Sequence, residues 1–135
     1  MSNEAAETIK EAVKEGALRF DKDKPKFELI SPIAMEGLAG ILTFGAKKYA
    51  AHNWRKGMAW SRALGSLKRH LIEFEKGNDY DYDENCEGCK EKHCLDHTGL
   101  LHIDQVLCNA MFLSEYARTH PELDDRYKVK IEDKK

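Results

Sequence analysis

Between residues 60 and 76 the apolar side chains Trp60, Leu64, Leu67, Leu71 and Phe74 recur at spacings of four, three, four and three. That period lays one apolar stripe along a helix, and Gly77 is placed to end it. A second helix is predicted over about 32–49, with Ser31 as its cap, Pro32 in its first turn and Ile33, Leu38, Ile41, Leu42 and Phe44 as apolar members. A third, over about 98–118, carries Leu101, Ile103, Val106, Leu107, Ala110, Met111 and Leu113, apolar around more than half its circumference, so it belongs at the centre. Asp96 or Thr98 can cap it, and Pro121 marks its end. Ala5, Ile9, Val13 and Leu18 form a weaker amphipathic pattern over 4–18, suited to docking on another surface.

The segments between these helices are polar. "RFDKDKPKFELISP" reads as an extended connector, "AAHNWRKGMAW" as a loop, and "NDYDYDENCEGCKEKHCLDHTG" as a long acidic loop. No alternating strand pattern competes and no repeat is visible, so the fold class expected is an all-α bundle with a small cysteine-rich loop inserted between two long helices. The organisation expected is an N-terminal arm over 1–18, a domain over 19–120 containing the loop at 84–97, and a flexible charged tail over 121–135. One thin helix layer leaves apolar surface open, which predicts a homo-oligomer, a dimer or tetramer.

Composition narrows the function classes. A chain of 135 residues with 41% hydrophobic residues has enough for one domain with a real core. Lys plus Arg number 22 against 24 for Asp plus Glu, and no basic stripe interleaves with aromatics, so nucleic acid is disfavoured as a partner. A small patch such as Lys68 and Arg69 can still hold phosphates. The N-terminus lacks a basic region followed by an apolar one, and no run approaches the roughly 18 apolar residues of a membrane span. A soluble cytoplasmic protein with no membrane partner is expected.

Candidate chemistry lies on the helices and in the acidic loop. His70 and Glu73 sit about 60° apart on one helix and can point into one cavity. His102, Gln105 and Asn109 share a face of the last helix, whereas Asp104 stands about 160° from His102, so one ion does not easily take both. Asp79, Asp81 and Asp83 offer the oxygen donors that hard cations select, with a solvated acidic loop as the plain alternative.

Four ordered blocks, "FDKDKPKFELISP", "LTFGAKKYAAHNW", "RHLIEFEKGNDYD" and "GLLHIDQVLCNAMFL", together resemble the phage dATP/dGTP diphosphohydrolase family, MazZ-like proteins related to the all-α MazG nucleotide pyrophosphohydrolases. The resemblance spans residues 19–116. It implies a MazG-like helical bundle, usually oligomeric. It also implies use of Mg²⁺ or Mn²⁺ to cleave a purine deoxynucleoside triphosphate, dGTP or dATP, into monophosphate and pyrophosphate, in the host cytoplasm if phage-encoded. For the MazZ-like branch, dGMP is the precursor for 2-aminoadenine in phage DNA.

Such a reaction asks for acidic oxygens to hold ions and for an activated in-line water. By that logic His70, Glu73, Asp79, Asp81, His102 and Asp104 are the expected metal and phosphate site. Glu73, His70 and His102 are its catalytic members, and Glu73 or a metal-bound hydroxide is the expected base. Lys24, Lys47, Lys48, Tyr49, Asn53, Trp54, Arg69 and Asn109 are the expected substrate-binding set, with plain packing the alternative for Trp54 and Tyr49. The MazG signature of Glu-Glu-x-x-Glu followed by Glu-x-x-Asp is absent, and histidines stand in its place.

Cys86-x-x-Cys89 and Cys94-x-x-His97 form two knuckle-like half-sites four residues apart, suited to a structural Zn²⁺, with His93 an alternative fourth ligand. A redox pair would call for a βαβ context, which is missing. Four protein ligands leave no open position for water, so this zinc is expected to staple the loop. The competing function is a zinc-knuckle module that binds nucleic acid or protein without catalysis. A third reading is an oligomeric accessory protein with a degenerate site.

Overall fold

The computed structural model describes residues 2–132. The side chain of Val13 and the tail residues 133–135 lie outside that description. The chain divides into two compact units, Met1–Ile30 and Ser31–Lys135.

In the first unit, α1 spans Asn3–Glu15, with Ser2 Oγ accepting the Ala5 amide 3.3 Å away. It stops short of Leu18 because Gly16 takes a positive φ of 117°. The connector contains one 3-10 turn at Phe27–Leu29.

The second unit is built on α2 (Pro32–Lys48), α3 (Trp60–Glu75), the short α4 (Glu87–Lys90) and α5 (His102–Thr119). All named elements are helical, and an isolated bridge between Tyr80 and Leu101 is the one β feature among the described residues. Ser31 caps α2 as expected, its Oγ 3.1 Å from the Ala34 amide. Gly77, at a φ of 91°, ends α3 as expected.

The central helix is α5, which packs along α3 and against α2. Contacts at both ends show that α3 and α5 run antiparallel. Trp60 at the start of α3 donates from Nε1 to the carbonyl of His120 (3.1 Å), and His70 meets His102 at the start of α5. Tyr116 is fully buried and donates its hydroxyl to the Trp54 carbonyl 2.6 Å away. Trp54 stacks on Phe112 with ring centres 4.6 Å apart and planes 16° from parallel.

In three places the structure differs from the sequence expectation. First, α5 begins at His102, four residues late, with Leu101 as a cap that makes no side-chain bond. Thr98 is engaged elsewhere, by Asp81, and Gly99 turns the chain at a φ of 71°. Second, the leucine stripe of α3 is only half-buried and Phe74 is exposed, while Trp60 and Ala63 make the deep contact. Third, the first residues of the expected tail are seated on α3. Asp125 accepts the Ser61 amide at 2.8 Å and the Ser61 hydroxyl, completing the N-terminus of α3, and the Arg126 guanidinium lies 4.8 Å from the Trp60 ring. Among the described residues, no helix is long and apolar enough to cross a membrane.

Candidate active site

The polar face of α3 and the start of α5 enclose two cavities. The larger, about 1300 Å³, runs along α3 between the end of α2, the 3-10 turn Asn53–Lys56 and α5. The smaller, about 530 Å³, lies between α3, the acidic loop and His102. Arg69, His70 and Asp81 line both.

At this junction Nδ1 of His70 and Nδ1 of His102 lie 2.8 Å apart. His102 is buried, and its amide donates to the Asp79 carbonyl at 2.8 Å, which fixes the ring at the mouth of α5. Burial lowers the His70 pKa, opposed by the nearby Asp81 charge and reinforced by His102 and Arg69.

Asp81 is the most constrained carboxylate. Its Oδ2 accepts from the Thr98 amide (3.0 Å), the Thr98 hydroxyl (3.1 Å) and Gln105 Nε2 (2.8 Å). Burial alone would raise its pKa, but these bonds, led by Gln105 and aided by the charge of His70, bring it below the ordinary carboxylate range. All three bonds fall on one oxygen, which leaves Oδ1 without a hydrogen bond among the described residues. A carboxylate with one oxygen pinned and the other free suits single-point ligation of a hard cation.

Other expected ligands are placed differently. Glu73 lines the smaller cavity, but Asn78 Nδ2 (2.8 Å) and Lys76 Nζ (3.1 Å) occupy its two oxygens. The Asn78 bond and then that to Lys76 lower its pKa, which weakens it as a base. Asp79 gives its backbone carbonyl to the His102 amide and is not among the residues lining either cavity. Asp104 faces α2, where its carboxylate fills the space a Cβ on Gly37 would take. Asp83 lines the smaller cavity instead.

Six members of the expected substrate set line the larger cavity: Lys48, Tyr49, Asn53, Trp54, Arg69 and Asn109. Lys47 does not line it, and Lys24 belongs to the first unit. One face of Trp54 is already used by Phe112, and Arg55 lies 5.1 Å from its ring. Asn109 Nδ2 donates to Ser66 Oγ (3.2 Å) and to the Gln105 carbonyl (2.9 Å).

In the acidic loop, Cys86, Cys89, Cys94 and His97 each present a ligand atom, all within 4.8 Å of one another. Among the described residues this is the group of three or more potential ligands whose donor atoms converge, and the spacing fits a metal-binding loop. The four cysteines are free thiols. His93 is exposed and outside the group; its amide donates to the Gly88 carbonyl at 2.9 Å. A Cβ on Gly88 would crowd Cys94 at 3.2 Å, so the Cys-Glu-Gly-Cys turn uses its glycine for close approach. Burial pushes the Cys89 thiol up to about 11. At Cys94 the same effect is outweighed by the amides of His97 and Asp96 and by the neighbouring thiols, and its pKa is lowered.

The family model described as "dATP/dGTP diphosphohydrolase, N-terminal" matches residues 14–126. The chain belongs to this family. A Salmonella phage PMBT28 protein described as a dATP/dGTP diphosphohydrolase is 34% identical over 109 residues, which cover 81% of this chain and 32% of that relative. The chain thus spans about a third of the relative's length. No solved structure matches it.

In this dATP/dGTP diphosphohydrolase family chain, cavity residues outside the expected site sets include Arg62, Ser66 and Gln105, the last read from the sequence only as sharing a face with His102 and Asn109. A signal for two of them exists. Arg62, Ser66, Arg69 and Glu73 recur at spacings of four, three and four, a polar stripe beside the leucine stripe.

Proposed function

We propose that this chain forms the nucleotide site of a metal-dependent diphosphohydrolase that cleaves dGTP or dATP to the monophosphate and pyrophosphate. The observation that carries this reading is the junction of the two cavities at Arg69, His70 and Asp81. The larger space, with Arg62, Arg69 and Lys48 on its walls, suits a purine nucleotide and its phosphates. The smaller space brings one constrained carboxylate and a histidine pair to its edge. Asp81, through its open Oδ1 and with Asp83 on the same cavity wall, would hold Mg²⁺ or Mn²⁺. When bound, the ion neutralises triphosphate charge and makes water a better nucleophile. The arginines orient the phosphates, and His70, paired with His102, can accept the proton of the attacking water. The family description and the phage relative name dATP and dGTP together; dGTP is the proposed substrate, its dGMP serving synthesis of 2-aminoadenine DNA, as the MazZ-like resemblance implies.

Incubation with dGTP or dATP and Mg²⁺ or Mn²⁺, followed by chromatography, should show monophosphate and pyrophosphate. If both triphosphates stay intact, the proposal fails.

The cysteine cluster is assigned to structural Zn²⁺. Ligands at tetrahedral angles about zinc stand about 3.8 Å apart for two thiolates and about 3.5 Å for a thiolate and an imidazole. Cys86 Sγ and Cys94 Sγ are 3.8 Å apart, and Cys94 Sγ and His97 Nδ1 are 3.4 Å apart. Exposed Ile33, Met35, Ile72 and Phe74 support self-association, which sedimentation of the purified chain tests. The same cysteine cluster favours a second reading, a zinc-knuckle module that binds nucleic acid or protein. Salt-sensitive DNA or RNA binding that disappears in Cys86→Ser would establish it over the first.

A further inference from the structure

The metal-binding loop and the nucleotide site meet at one residue, Thr98. It follows His97, the last knuckle ligand, and gives Asp81 Oδ2 two of its three hydrogen bonds. Its hydroxyl also accepts from Gln105 Nε2 at 2.9 Å and from the Leu100 amide at 3.1 Å, so it joins the loop to α5. The opposite strand of the loop is tied in the same way, with the Cys86 amide donating to the Asp83 carbonyl at 3.0 Å.

The loop base is a short ladder. Asp81 donates its amide to Leu100 and accepts that of Gly99, and His102 donates to Asp79, each at 2.8 Å. In the absence of a cross-link that ladder must close a long polar segment with little apolar burial, an arrangement opposed by chain entropy. An ion joining Cys86 to His97 ties the segment just above the ladder and shortens the loop that remains to be closed.

We infer that a thiophilic cation in the Cys86–Cys89–Cys94–His97 knuckle positions the Asp81 carboxylate through Thr98, so that the nucleotide site is complete only when the knuckle is loaded. Thr98 is a positioning residue, acting through Asp81. The catalytic part of this inference rests on the proposed nucleotide hydrolysis; the structural part does not.

Amide hydrogen exchange on the full chain, loaded with one equivalent of Zn²⁺ or stripped by a chelator, tests the structural part. Stripping should speed exchange at Asp81, Thr98, Gly99 and His102 about tenfold or more and leave mid-helix amides such as Leu67 and Cys108 within about twofold. Unchanged exchange at the loop base, equal acceleration throughout, or failure to bind zinc would each overturn the inference. For the catalytic part, Thr98→Val should retain its zinc and lower kcat on dGTP about tenfold with little change in KM, and Thr98→Ser should recover most of it. Wild-type kcat in Thr98→Val would overturn that step. A wild-type chain inactive on all nucleotides would instead defeat the hydrolase reading and leave the exchange result standing.

Discussion

His70 and His102 meet nitrogen to nitrogen, Nδ1 to Nδ1 at 2.8 Å, across the junction of α3 and α5. Such a bond needs one protonated and one bare nitrogen, so it is lost when both rings are fully protonated. Burial holds the folded His70 below its ordinary 6.5, against the pull of Asp81. The unfolded chain therefore takes up more protons as pH falls below that value, and stability falls with it. In metal-free buffer, Tm should drop as pH falls through the ordinary 6.5 and on through the lower folded value of His70, and His70→Gln should flatten the drop. Asp81 does not contribute to this window. Its lowered pKa stabilises above the ordinary 3.8 and is lost only as pH falls through the folded value. An equal slope in wild type and His70→Gln would refute the assignment.

Arg69 is the cation common to both cavities, which makes it the strongest candidate for a phosphate contact. Loss of one charge-assisted contact should lower kcat/KM of Arg69→Ala on dGTP by about 10–100-fold. Arg69→Lys should recover only part of that, since an ammonium lacks the planar fork. Initial rates of pyrophosphate release measure both.

Two histidines in the acidic loop compete for the fourth ligand position, and geometry selects His97 over His93. His97→Ala should lose zinc on dialysis against a weak chelator, whereas His93→Ala should keep one equivalent, as measured by atomic absorption. The reverse result would reassign the ligand.

Gly57 adopts a φ of 90° and a ψ of 152°, and a Cβ there would come within 2.7 Å of both His120 and Leu123. Backbone strain and overpacking act together, so Gly57→Ala should destabilise by about 2–4 kcal/mol in urea unfolding. A change under about 0.5 kcal/mol would mean that the C-terminal segment moves aside freely.

The features legible in the sequence were those written in local chemistry. Ser31 with Pro32, and Gly77, mark real helix ends because capping and positive φ are decided within a few residues. Thr98 carries the same capping signal, yet Asp81, 17 positions earlier in the chain, claims its amide and hydroxyl and delays α5. Trp54 is similar: base stacking and packing were open alternatives until Phe112, far along the chain, took one of its faces. Helical angles separate Asp104 from His102, but only the packed structure shows that Asp104 rests on Gly37. Arg62 and Ser66 were within reach of periodicity, overshadowed by the leucines alongside them.

The stacked pair Trp54–Phe112 also has an optical consequence. The chain has two tryptophans; Trp54 lines the larger cleft, while Trp60 is buried and held against Arg126. A purine entering the cleft would quench one indole and leave the other emitting, so the molecule carries a reporter and an internal reference for occupancy of its own cleft, with no added dye.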